Sequence, residues 1–142
     1  MAGPVNSGVR AQPMANPISE SMAKGTIGEL LVQARLLQYG VQAAAPIKDS
    51  GNDLIALKGY AVKTIQVKTC TSRFNTPLDL PEKYHLVALV KLHGYDTELL
   101  LDQTKVYVVP RERIAGLRIN HEADMAPYSI SQRLVDELFV EP

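Results

Sequence analysis

The chain predicts an α/β domain in which a mixed β-sheet is flanked by helices. Three observations lead there. Apolar residues between Ser19 and Tyr39 recur at helical spacing, the middle of the chain holds several short runs rich in Val, Ile and Leu, and a second short helical pattern closes the sequence. A chain of 142 residues, 46% apolar and 21% charged, holds enough material for one core without disulfides. We expect a flexible tail over residues 1–18, rich in Gly, Pro, Asn and Ala, and one domain over residues 19–142.

Ser19 or Ser21 can cap the first helix, which runs to about Tyr39, with Gly40 as its stop. Ile27, Leu30, Leu31, Ala34 and Leu37 form its main apolar stripe, and Val32, Leu36 and Tyr39 add a second apolar side. Residues 41–47 read as a short strand closed by Pro46, and residues 48–52 are dense in turn formers. Residues 53–57 form a strand, 58–60 turn the chain, and 61–70 form a longer strand. Thr71 to Lys83 is a polar loop. Tyr84 to Leu92 is nearly all apolar and so belongs inside the sheet. Leu99 to Asp102 is a weak strand or link, Val106 to Val109 a strand ended by Pro110, Arg111 to Gly116 a helical turn, and Ser129 or Ser131 starts a last helix to about Phe139.

Composition excludes several functional classes. A lone cysteine, Cys70, rules out a disulfide scaffold or a Cys-based zinc cluster within one chain and fits a cytoplasmic location. The N-terminal residues show no apolar segment of the secretory kind, and no run is long enough for a bilayer span, so no membrane association is expected. His85, His93 and His121 lack metal-ligand spacing, and no nucleophile elbow or phosphate-binding glycine loop is present. The formal net charge is zero, yet Lys58, Lys63, Lys68 and Arg73 lie in a stretch from Leu54 to Leu78 that contains no acid. Such a layout can turn one positive face toward a phosphate backbone.

The chemistry concentrates in Gly51-Asn52-Asp53 and Gln66-Val67-Lys68. A two-residue turn at Gly59-Tyr60 sets Lys58 opposite Ala61 and, counting back along both strands, Asp53 opposite Gln66. Cross-strand partners bring their Cβ atoms to roughly 4.5–5.5 Å. Lys68, two residues past Gln66, shares its face. A carboxylate, an amide oxygen and the backbone carbonyl of Val67 are the hard oxygen donors that Mg2+ or Mn2+ takes, and a lysine beside them can stabilise phosphate charge.

This pattern resembles the PD-(D/E)XK nuclease superfamily, in its resolvase-like or homing-endonuclease-like branch. The resemblance spans roughly Lys24 to Val109. It includes Gly28-Glu29 of the first helix, similar to the helix glutamate that many members place near the metal. Gly51-Asn52 stands where other members have Pro, and Gln66 stands in the carboxylate position, as in some active members. The resemblance implies a restriction-endonuclease-like core and a metal-dependent endonuclease acting on DNA, branched DNA included. It further implies a homodimer, a site of Glu29, Asp53, Gln66 and Lys68, and magnesium held by Asp53, Gln66, Glu29 and the Val67 carbonyl. Lys58, Lys63, Thr69, Ser72 and Arg73 are candidates for contacts to DNA. Because glutamine is neutral, a non-catalytic DNA-binding or assembly protein on the same fold is the alternative, and an interaction module with a merely polar hairpin face is a third.

Overall fold

The computed structural model describes residues 17–48 and 51–142. The expected tail over residues 1–18 therefore falls mostly outside the described residues, as do Asp49 and Ser50 of the turn before Asp53. Helix α1 (Glu20–Gln38) starts at Ser19, whose hydroxyl accepts the Met22 N–H at 3.1 Å, and Gly40 leaves it with φ 87°.

The sheet has five strands: β1 (Gln42–Ala44), β2 (Leu54–Lys58), β3 (Ala61–Cys70), β4 (Leu86–Lys91) and β5 (Lys105–Pro110). They lie side by side in chain order. Only β3 and β4 run parallel; the other pairs are antiparallel. A parallel pair needs a crossover of about a dozen residues or more. Residues 71–85 supply it as a loop rather than a helix. The short helices α2 (Arg111–Ile114) and α3 (Glu122–Met125) follow β5, and α4 (Gln132–Leu138) closes the chain under a Ser131 cap. The sheet is thus mixed and flanked by helices, as expected.

Two cores lie on its two faces. On one, Val32 and Leu36 of α1 and Leu134 and Val135 of α4 cover Leu54, Ala56, Ile65 and Val67. On the other, Phe74 and Tyr84 of the crossover, with Ile119 and Met125, cover Val87, Leu89, Tyr107 and Val109. Strand β4 contributes to both cores, which explains its unbroken apolar run.

Three details differ from the sequence expectation. The first strand shrinks to Gln42–Ala44, because Pro46 removes a donor at the sheet edge. Of the two readings of residues 99–102 the link holds, ending in a turn at residues 101–103, and α3 and the 3-10 turn Ala126–Tyr128 carried no clear sequence signal. The third concerns α1. Its buried residues are Gly28, Val32 and Leu36, with Leu30 and Leu37 exposed. The cause is Gly28: a Cβ there would overlap Thr69 Oγ1, so only glycine lets the helix meet β3 on that side.

Candidate active site

Strand β2 parts from β3 at Asp53, and the site forms in the opening. The hairpin pairs Lys58 with Ala61 and Leu54 with Ile65, the register expected from the Gly59-Tyr60 turn. Gly59 adopts φ 60°, which a glycine reaches at no steric cost. Asp53 N–H still bonds the Ile65 carbonyl at 3.1 Å. The chain then turns away through Gly51 and Asn52, and β3 continues alone to Cys70 on that edge. Val67 N–H would have no ladder partner there. The Asp53 carboxylate takes the place of a strand and accepts it at 2.8 Å.

The same carboxylate oxygen, Oδ2, accepts Gln66 Nε2 at 2.9 Å. This bond settles the amide's orientation, since the opposite flip would set two acceptors against each other. Gln66 Oε1 therefore turns away from Asp53. It is buried and has no hydrogen-bond partner, in a side chain only 9% exposed. A buried carbonyl oxygen left without a partner costs roughly 1–3 kcal/mol, so this one has room for a water or an ion. Two further buried oxygens lack partners, Asn52 Oδ1 and Thr69 Oγ1.

Lys68 is half-buried and lines a cleft of about 510 Å³ between β3 and the first turns of α1. Glu20, Ser21, Lys24, Gly25, Val67 and Thr69 complete the lining. Lys24 is held by Glu20 at 3.2 Å and stands over the Tyr95 ring. Glu29 follows Gly28, the point of closest approach to β3, and is half-buried. On the expected apolar stripe it lay far from the packed side. Measured from Gly28, Val32 and Leu36, it sits about 60° from the centre of the buried face, at 100° per residue. Asp53, Gln66 and Val67 are joined directly by hydrogen bonds.

The other basic candidates scatter. Lys58 lies at the turn end of β2, roughly 17 Å along the strand from Asp53, and faces Asp136 at 3.8 Å. Lys63 belongs to the β3 face opposite Gln66. Thr69 lines the cleft, while Ser72 and Arg73 are exposed just beyond β3. Burial pushes the Cys70 thiol up, and the nearby Lys91 charge offsets this only in part. From the sequence, Asn52 fell in the stretch that carries the chemistry without a role of its own, and Glu20 and Lys24 had no role assigned. The signal for Asn52 was its place directly before Asp53.

The donors present suit a hard divalent cation that keeps most of its waters: one carboxylate, one orphaned amide oxygen and a backbone carbonyl. Among the described residues, no group of three or more His, Cys, Asp or Glu could hold a metal, which excludes a nitrogen- or sulfur-rich centre there.

No family model matches the chain, and no curated protein does. Among solved structures, a bacterial homing endonuclease, I-Ssp6803I, is similar at 17% identity and a TM-score of 0.48, over 69% of this chain and 70% of that chain. This is a distant likeness in chain path. Among the described residues no helix is long and apolar enough to cross a membrane.

Proposed function

We propose that this chain is a metal-dependent endonuclease that hydrolyses DNA phosphodiester bonds at Asp53, Gln66 and Lys68. The observation that carries the reading is Gln66 Oε1, buried without a partner beside a pinned carboxylate. Asp53, Gln66 Oε1 and the Val67 carbonyl would hold Mg2+ or Mn2+, with Glu29 as a further oxygen donor. The cation supplies Lewis acidity toward the phosphate and toward the attacking water. Lys68 stabilises the charge that builds on the phosphate oxygens. Asp53 fixes the Gln66 amide through Oδ2 and keeps its other oxygen for the ligand. Cutting both strands of a duplex, or a branched junction, calls for two such sites, hence a homodimer.

One observation favours a second reading. Asp53 Oδ2 is already satisfied by Gln66 and Val67, as a purely structural strand cap would be. On that reading the chain binds DNA without cutting it.

Incubation of the full chain with plasmid, four-way-junction and single-stranded DNA, in Mg2+ or Mn2+, separates the two. The nuclease reading expects cleavage that falls at least about a hundredfold in Asp53→Ala and in Lys68→Ala. Cleavage that survives both substitutions sinks the site. Binding with no cleavage under either metal establishes the second reading.

A further inference from the structure

A second cleft opens on the sheet face that carries Gln66, two residues nearer the start of β3. It encloses about 320 Å³ and is lined by Asn52, Thr64, Lys83, Tyr84, His85 and Arg111. The lining contains two permanent cations and a histidine but no carboxylate. No ion pair among the described residues engages Lys83 or Arg111.

The donors are held in place. His85 Nδ1 accepts the Thr64 backbone N–H at 2.9 Å. An accepting ring nitrogen carries no proton, so the neutral ring bears its proton on Nε2. The bond from His85 N–H to Thr64 Oγ1, 3.2 Å, ties the same two residues together again. Arg111 donates to the Glu82 carbonyl and lies over the Tyr84 ring, 5.1 Å from its centroid. Asn52, the residue before Asp53, donates to the Lys83 carbonyl at 3.1 Å, so the cleft's rim is anchored to the catalytic strand end.

Resting on the nuclease reading above, we infer that this cleft is a phosphate subsite. It grips the DNA backbone one nucleotide away from the phosphate attacked at Asp53 and Gln66. Thr64 and Gln66 are two residues apart on one face of β3, about 6.6 Å. That is close to the separation of neighbouring phosphates on one strand. A guanidinium fork, an ammonium and a ring N–H, with no anion among them, match the oxygens of a phosphodiester. Such a contact sets the register of the strand over the site and carries no base preference.

The test uses the full chain and a fluorescently labelled DNA that the wild type cuts, or the four-way junction if it cuts none, with anisotropy read over a salt series without divalent metal. The Lys83→Gln/Arg111→Gln double variant should bind about tenfold more weakly at fixed salt. Its slope of log affinity against log salt should fall by about 0.9, the value for one phosphate contact. His85→Asn keeps an acceptor near Nδ1 but loses the Nε2 donor; it should weaken binding severalfold without changing the slope, and His85→Gln should restore it. A single methylphosphonate linkage placed one nucleotide from the cut should weaken the wild type and leave the double variant indifferent. Lys83→Gln alone, on an exposed side chain, keeps the test decisive if the double variant misfolds.

Equal slopes, or the same methylphosphonate penalty in both proteins, overturn the cleft while cleavage by the wild type leaves the nuclease reading standing. A slope that depends on the cleft in a protein that never cleaves does the reverse: it supports the backbone grip and overturns the nuclease. A wild type that binds no DNA overturns both.

Discussion

Replacing Gln66 by glutamate tests the site's electrostatics without reference to any substrate. In the native protein Gln66 Nε2 donates to Asp53 Oδ2 at 2.9 Å. Gln66→Glu puts a second carboxylate where that donor stood. Two full charges at this distance repel by about 6 kcal/mol at an effective dielectric of about 20. Rotation of the new side chain to a separation of about 5 Å leaves roughly 3 kcal/mol, and protonation of one carboxyl caps the loss further. We therefore expect the metal-free variant to lose about 2–3 kcal/mol at neutral pH, a drop in Tm of roughly 5–10 °C for a chain of this size. The sign with pH follows from linkage. The new carboxyl has a folded-state pKa raised above its unfolded value, because ionisation is disfavoured beside Asp53. Its destabilising effect is therefore absent below the ordinary carboxylate range and grows as pH rises through the raised value. Millimolar Mg2+ or Mn2+ should recover the lost stability, since a cation between two carboxylates turns repulsion into chelation. Thermal melts of both proteins at pH 4.5 and 7.5, with and without metal, give the answer. A variant as stable as wild type at pH 7.5 without metal, or one that ignores metal, would refute the geometry.

Three further outcomes follow from the same structure. Asp53, Glu29 and Lys68 together carry a single net negative charge, so the metal-free site should attract a cation weakly; calorimetry should find Mg2+ affinity in the millimolar range alone and at least about tenfold tighter with DNA bound, and equal affinities would show that DNA phosphate completes no site. Gly28→Ala gains up to about 1 kcal/mol in helix propensity but loses about 1–3 kcal/mol where the new Cβ meets Thr69, so urea unfolding should show a net loss that adding Thr69→Ala reduces, the Cβ contact at 3.0 Å remaining; a stabilised single variant would contradict the close approach. Burial raises the Cys70 pKa, so iodoacetamide should modify it more slowly than free cysteine at pH 8 and faster as pH climbs, and a rate equal to free cysteine's would place the thiol in solvent.

The hairpin was legible because two local rules act on it alone. A glycine in the first turn position set the register, and the period of two put Gln66 and Lys68 on one face. The side-chain bonds from Asp53 to Gln66 and Val67 then follow from that register. The packed face of α1 was not legible, because Leu30 and Leu37 are as apolar as Val32 and Leu36. A contact distant in sequence, Gly28 against Thr69, decided between the two sides. The His85 cleft was hidden for a related reason. It depends on β3 and β4 lying parallel with Ile65 beside Leu86, and the length of the crossover over residues 71–85 does not determine that register. Local chemistry thus revealed the residues that one turn brings together, and left unseen those that packing across the sheet brings together.

The neutral Gln66 looks like the weak member of the site, yet the structure gives it a use that a carboxylate lacks. The edge of β3 beyond Asp53 leaves Val67 N–H without a strand to pair with, and Asp53 must turn inward to satisfy it. A second carboxylate at position 66 would repel Asp53 in that posture until a cation arrived. An amide donates to Asp53 through Nε2 and still offers Oε1 to a ligand, so both oxygens stand in place in the metal-free protein. On the proposed reading preorganisation would replace charge: the site would bind a cation less tightly by itself, and a DNA phosphate would supply the missing negative charge. A centre built this way would assemble on its substrate, which makes the dependence of metal affinity on DNA the sharpest consequence of finding glutamine at that position.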